Sequence, residues 1–169
     1  MRPTLPLIVL ALLILSPTVL ASSTEVSFSN PDKYSDARLY RDYGRGADDF
    51  VLKDLKSHIE KLGKRYLQPG QTLKVDVLDI DLAGQYEPWR VNFQDVRFMR
   101  EVTWPRIKLH YSLEQDGKVL VSRDVTVIDQ SYLQHGNYYF SNDRLRYEKT
   151  MLDDWFRWNI GSKDKTVSY

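Results

Sequence analysis

Residues 104–128 read WPRIKLHYSLEQDGKVLVSRDVTVI, and the alternation within them decides the fold. Ile107, Leu109, Tyr111 and Leu113 fall on one face of an extended chain and Arg106, Lys108, His110 and Ser112 on the other. That is the two-residue period of a strand with one face in a core. Asp116-Gly117 is a turn dipeptide, and Val119, Val121, Val125 and Val127 carry the pattern back, so the segment is a β-hairpin. A two-residue turn would set Leu109 opposite Asp124 and Tyr111 opposite Ser122, mixing the faces. A three-residue loop with Gly117 in the left-handed region sets Leu113 opposite Val119, Tyr111 opposite Val121, Ile107 opposite Val125 and Lys108 opposite Asp124. A one-residue slip turns every side chain over, so the pattern selects this second register.

Upstream, Leu73, Val75 and Val77 alternate with Lys74 and Asp76 as a further strand, after which the apolar phase switches to Leu78, Ile80 and Leu82. A bulge at Val77–Leu78 absorbs the slip and keeps Asp76, Asp79 and Asp81 on one solvated face. Without it, Asp79 and Asp81 would point into the core at high cost. Asp48 and Asp49 open a helix whose Leu52, Leu55, Ile59, Leu62 and Tyr66 form one stripe, with His58 at its border and Pro69-Gly70 ending it. Glu25 to Phe28 alternates as a short first strand. Residues 29–47 read as a long surface loop and residues 84–91, with Pro88 and Trp89, as a turn. Pro105 at the head of its strand suits an edge or a bulge. A loop holding His135 and Tyr138-Tyr139-Phe140 leads to a last helix, capped by Ser141 or Asn142 and running to about Trp158. Its apolar side is Leu145, Leu152, Trp155 and Phe156, and Arg144–Glu148, Lys149–Asp153 and Asp153–Arg157 stand four apart as ion pairs. The order predicts an α+β fold, an antiparallel sheet of three to four strands covered on one face by two helices.

Residues 1–21 read as a signal peptide. A positive start at Arg2, the apolar run Leu7 to Leu15, the breaker Pro17, and small residues at Val19 and Ala21 follow in order. The run is too short to span a membrane, so no stable anchor is expected after cleavage near Ala21. Residues 22–160 then form a single α+β domain and residues 161–169 a polar tail. The expected location is the periplasm or the exterior. The 169 residues carry 24 Lys and Arg against 23 Asp and Glu and no cysteine. The balance argues against nucleic-acid binding by bulk electrostatics. The missing cysteines exclude disulfide frameworks, Cys-ligated zinc and thiol nucleophiles.

Several phrases resemble a bacterial family of exported proteins catalogued as domain of unknown function 3016. They are Val77-Leu78-Asp79-Ile80-Asp81-Leu82-Ala83-Gly84, Val96-Arg97-Phe98-Met99-Arg100 and Thr103-Trp104-Pro105-Arg106-Ile107, with Leu145-Arg146-Tyr147-Glu148-Lys149 and Met151-Leu152-Asp153-Asp154-Trp155-Phe156. The resemblance implies no activity, cofactor or catalytic residue.

Two surfaces invite chemistry. Asp79, Asp81, Arg97, Arg100, Trp104, Arg106 and His110 form a candidate polar surface able to hold a carboxylate, a phosphate or a sugar ring. Alternatively, Arg97 and Arg100 satisfy Asp79, Asp81 and Asp95 across neighbouring elements. Trp89, Tyr132, Tyr138 and Tyr139 form a candidate aromatic loop surface, with folding over the domain's own helices as the other reading. Asp79-x-Asp81-x-x-Gly84 begins like a calcium loop, but Ala83 and Arg90 stand where ligands belong, so no metal is expected. A weaker site would need completing by distant residues such as Asp95. Gly44-Arg45-Gly46 precedes a helix as a phosphate cradle would, yet Asp48 and Asp49 already occupy the positive end. No histidine pair has zinc spacing, no nucleophile elbow is present, and no cofactor is expected. The expectation is a non-catalytic binding or accessory module of the bacterial envelope, its partner an envelope protein. The alternative is an enzyme or small-ligand receptor acting on a polar envelope substrate.

Overall fold

A computed structural model describes residues 21–39, 46–93 and 96–161. The leader-like residues 1–20, Gly44 and Arg45, Asp95 and residues 162–169 of the polar tail lie outside the described residues. Among the described residues six strands and two α-helices follow in order: β1 (Ser23–Phe28), α1 (Asp49–Tyr66), β2 (Gln71–Asp81), β3 (Gln85–Tyr86), β4 (Arg97–Phe98), β5 (Arg106–Gln115), β6 (Lys118–Ile128) and α2 (Arg146–Asn159). The main sheet runs β1-β2-β5-β6, and β3 with β4 makes a separate two-stranded ribbon. The sheet is antiparallel across β2, β5 and β6, while β1 adds to β2 in parallel. The helix α1 connects β1 to β2, and such a crossover is what a parallel pair requires. Both helices pack on the sheet.

The alternating apolar set forms the core. Leu73, Val75, Val77, Ile80, Ile107, Leu109 and Tyr111 from β2 and β5 meet Val51, Leu55, Ile59 and Leu62 of α1 and Leu152 and Phe156 of α2. In α1 the buried stripe begins at Val51, and Leu52 is only half-buried. His58 lies inside this layer and not at its border. The slip in β2 falls between Val77 and Asp79, making Leu78 the bulged residue. Asp79 and Asp81 thereby face Lys108 and Arg106 across the ladder, on the face away from the core.

The β5–β6 register differs from expectation. Asp116 and Gly117 both take positive φ, 52° and 81°, and join Gln115 to Lys118 as a two-residue turn. Mixed faces are avoided by a bulge at Leu120: Glu114 opposes Val119, but Leu113 opposes Val121, Leu109 Val125 and Ile107 Val127. His110, not Lys108, therefore stands opposite Asp124. The alternating residues keep the expected face, but their partners lie two residues further on: Leu113 meets Val121 and not Val119, Tyr111 meets Arg123 and not Val121, and Ile107 meets Val127 and not Val125, because an extra strand residue stands in place of an extra loop residue. Pro105 precedes β5, which is interior to the sheet, so it marks no edge. The final helix starts at Arg146 and not at Ser141 or Asn142; Asp143 instead accepts the Leu145 N–H at 2.9 Å in a turn before it.

Candidate functional site

Residues 82–93 and 96–105 lie outside the main sheet between β2 and β5 and include the β3–β4 ribbon. Arg97 pins this excursion to the domain. Its Nε donates to the Ala83 carbonyl at 2.6 Å. Its Nη2 donates to Leu82 (3.0 Å) and Gly84 (2.8 Å) carbonyls and to Asp36 (2.7 Å), and its Nη1 reaches the Arg38 carbonyl at 3.3 Å. The guanidinium also lies over the Tyr86 ring at 5.4 Å. A second clamp is Glu87, whose buried carboxylate accepts Arg90 Nε at 2.5 Å and Arg100 Nε at 2.6 Å. Burial pushes the Glu87 pKa up, but the bonds from Arg100 and Arg90 outweigh it and hold the group below 4.5. The Arg100 carbonyl accepts the Tyr132 hydroxyl at 2.9 Å. Arg97 and Arg100 are thus occupied by the fold.

Asp81, Trp104 and Arg106 do come together. With Asp36, Gln85 and Thr103 they line a cleft of about 330 Å³ where the excursion leaves and rejoins the sheet. Arg106 donates to Asp81 Oδ2 inside it. The backbone floor is fixed: Asp36 N–H donates to Ile80 and Leu82 N–H to Asp36, both at 2.9 Å, and Gly84 N–H to Thr103 at 2.8 Å. Asp79 turns away to accept the Ser35 N–H and hydroxyl, each at 2.7 Å. His110 sits farther along β5, bonded to Asp124 at 2.7 Å and Ser122 at 3.1 Å, in another groove beside Lys74 and Asp76.

The aromatic set does not share a surface. Tyr132 is buried edge-on against Tyr147, with ring centroids 4.9 Å apart. Tyr139 is half-buried; its hydroxyl donates to Asp153 and its ring stands edge-on to His58 at 5.4 Å. Tyr138 is exposed beside Asp154, and Trp89 is exposed on the excursion.

The pattern reading missed a buried polar layer between α1 and α2. Asp153 accepts from Arg65 (3.0 Å) and Tyr139 and lies 3.2 Å from His58 Nε2. Burial pushes its pKa up, while His58, Tyr139 and Arg65 outweigh it and hold the carboxyl below its usual value. Burial and the Asp153 charge push the Tyr139 hydroxyl up. Lys149 bridges Asp54 and Asp143, each at 2.8 Å, instead of pairing with Asp153 four residues on. Glu148 is buried and accepts the Ala83 N–H at 2.7 Å, with Oε2 unbonded, and desolvation raises its pKa. A groove of about 290 Å³ between the end of β6 and α2, lined by Asp129, His135, Trp155 and Trp158, was also missed. The only sequence signal for the layer was a histidine and carboxylates at core spacing on the two helices.

Among the described residues no group of three or more His, Asp or Glu could hold a metal ion, and no helix is long and apolar enough to cross a membrane.

A search of curated proteins finds no match. Among solved structures, the crystal structure of protein XCC0632 from Xanthomonas campestris, of the DUF330 family, is similar at 16% identity and a TM-score of 0.36, over 86% of this chain and 88% of that one. The family model described as protein of unknown function (DUF3016) matches residues 22–158, which takes in every phrase singled out above, and the chain belongs to that family.

Proposed function

We propose that the chain is an exported, non-catalytic binding or accessory module of the bacterial envelope that engages another envelope protein through the β3–β4 excursion. The observation that carries this reading is where the exposed apolar side chains lie. Trp89 is 68%, Val91 79% and Val102 73% exposed, and Phe93, Val96 and Met99 are exposed beside them in sequence. Exposed apolar residues scattered singly need no explanation, but a run of them on one segment is characteristic of an interaction surface. Export is supported by the leader-like residues 1–21.

The test is affinity capture with the tagged full-length chain from an extract of its own envelope. Wild type is compared with Val91→Asp and Val102→Asp, and with Phe50→Asp as an exposed control elsewhere. The expected result is one protein recovered by wild type and the control and lost from both excursion variants. Equal recovery by all four chains would defeat the reading.

The cleft at Asp81, Trp104 and Arg106 favours a second reading, a small-ligand receptor or enzyme acting on a polar envelope substrate. A ligand and turnover screen with Asp81→Asn separates the two, since unchanged binding and turnover in the variant removes the cleft from consideration.

A further inference from the structure

We infer that the cleft between Asp81, Gln85, Trp104 and Arg106 is a subsite for an uncharged sugar of one or two rings. The inference rests on the second reading above and names its ligand class.

Charge comes first. Each acid lining the cleft is matched by an arginine, Asp81 by Arg106 in the wall and Asp36 by Arg97 beneath it. The formal sum is zero, so neither a phosphate nor an amine gains from entering, and either would have to break an existing pair. Hydrogen-bonding capacity comes second. Among the described residues, Asp81 Oδ1, Arg106 Nε and Nη1, the Gln85 side-chain amide and the Trp104 indole N–H have no partner. That set contains acceptors and donors side by side. Sugar hydroxyls both donate and accept, so they can meet such a set without leaving a charge uncompensated.

The aromatic wall is third. Trp104 is half-buried in the lining, and an indole offers an apolar body beside a polar edge. A pyranose has the matching character, an apolar C–H face ringed by hydroxyls. Size agrees: about 330 Å³ is at the small end of the ~300–1,000 Å³ typical of ligand sites. The floor is also pre-formed. Gly84 takes φ +72°, and a Cβ there would come within 2.6 Å of the Phe98 carbonyl, so the excursion closes tightly over the strand end. Little ordering is left for a ligand to impose.

The experiment is titration of the full-length ¹⁵N-labelled chain with cellobiose, maltose and diacetylchitobiose, each to about 20 mM, well above a 1 mM dissociation constant. Inorganic phosphate and choline are titrated in parallel. The Trp104 indole resonance is identified by its absence in Trp104→Phe. At least one sugar is expected to shift that resonance saturably while phosphate and choline leave it in place. Gln85→Ala changes an exposed residue and should weaken that sugar by several-fold at unchanged thermal midpoint, and Trp104→Ala, while it stays folded, by about tenfold or more. If Trp104→Ala unfolds, Gln85→Ala alone decides. Saturable phosphate or choline binding at Trp104 without sugar binding overturns the inference and leaves a polar-ligand receptor standing. No shift with any of the five overturns both.

Discussion

Replacing Arg97 by methionine should cost about 3 kcal/mol of folding stability, and the figure follows from what the guanidinium holds. The Arg97 side chain is 9% exposed, and it satisfies the carbonyls of Leu82, Ala83 and Gly84, reaches that of Arg38, and pairs with Asp36. Methionine fills most of the same volume and supplies none of these donors. Removing one partner of a buried ion pair typically costs ~3–5 kcal/mol, because the other charge is left uncompensated. The Asp36 side chain is 30% exposed and can partly rehydrate, which places the loss at the low end. Adding the hydrogen bonds one by one would overshoot, since contacts of one side chain are not additive. Arg97→Lys keeps the charge but not the fork that reaches several acceptors at once, so about half the loss is expected. Urea unfolding followed by tryptophan fluorescence reads both variants, and a loss of about 3 kcal/mol corresponds to a thermal midpoint lower by ~6–12 °C for a chain of this size. If Arg97→Met were within about 0.5 kcal/mol of wild type, the size of an ordinary surface change, the pinning role would be refuted.

Four further outcomes can be measured. Glu87 has a folded pKa below 4.5, so its clamp stabilises fully above that value and the contribution disappears as pH falls through the folded pKa. The thermal midpoint of wild type should accordingly fall more steeply than that of Glu87→Gln between about pH 5 and pH 3, and parallel curves would count against the clamp. Glu148 runs the other way, because its folded pKa is raised by burial: its contribution is complete below the unfolded pKa and lost as pH rises through the folded one. Glu148→Gln should therefore gain on wild type as pH rises, and a pH-independent difference would exclude a titrating buried carboxyl. Tyr139→Phe removes one donor from Asp153 but leaves Arg65 in place; a cost of about 1–2 kcal/mol in urea unfolding is expected, and none at all would place that hydroxyl in water. Gly84→Ala puts a Cβ 2.6 Å from the Phe98 carbonyl at φ +72°, which should cost about 2 kcal/mol, and an unchanged thermal midpoint would contradict the close approach of the excursion.

The parts of the fold that could be read in advance are those governed by periodicity. Ile107, Leu109, Tyr111 and Leu113 alternate because one sheet face is covered, and that constraint also forces the bulge at Leu78. What periodicity leaves open is how a slip is absorbed. A longer turn and a bulge at Leu120 both return the apolar residues to one face but with different partners, Tyr111 opposite Val121 in the first and opposite Arg123 in the second, and a two-residue turn with two positive φ angles suits the twist of the strands. The start of α2 was misplaced because Ser141 and Asn142 resemble caps, whereas the Asp143 carboxylate holds a separate turn there. At the candidate cleft, Asp81 stands beside Arg106 and Trp104 because β2 pairs with β5, a pairing that no local pattern announces. Asp36 and Glu87 were missed, because each meets its arginines through contacts with no local period. His58 and Asp153 escaped for a related reason: a polar residue on an apolar stripe reads as a boundary until its partner from another helix is known.

The excursion between β2 and β5 poses an energetic question that bears on function. Ordering a backbone residue costs roughly 1–2 kcal/mol, and a segment normally offsets that by burying its own apolar side chains. Here Trp89, Val91 and Val102 remain largely in water, and Phe93 is half exposed with its ring edge-on to Phe98. Charged bonds also hold the segment, with Arg97 gripping its first residues and Glu87 tying Arg90 to Arg100 across its middle. Such clamps work alongside the packing of Leu82, Ala83 and Phe98 and leave Trp89, Val91 and Val102 exposed. A flexible loop with the same side chains would have to be ordered by whatever bound it, and a rigid one would not. The arginines that looked in the sequence like ligands for an anion thus act first on the fold, holding in place the segment that carries the exposed Trp89, Val91 and Val102.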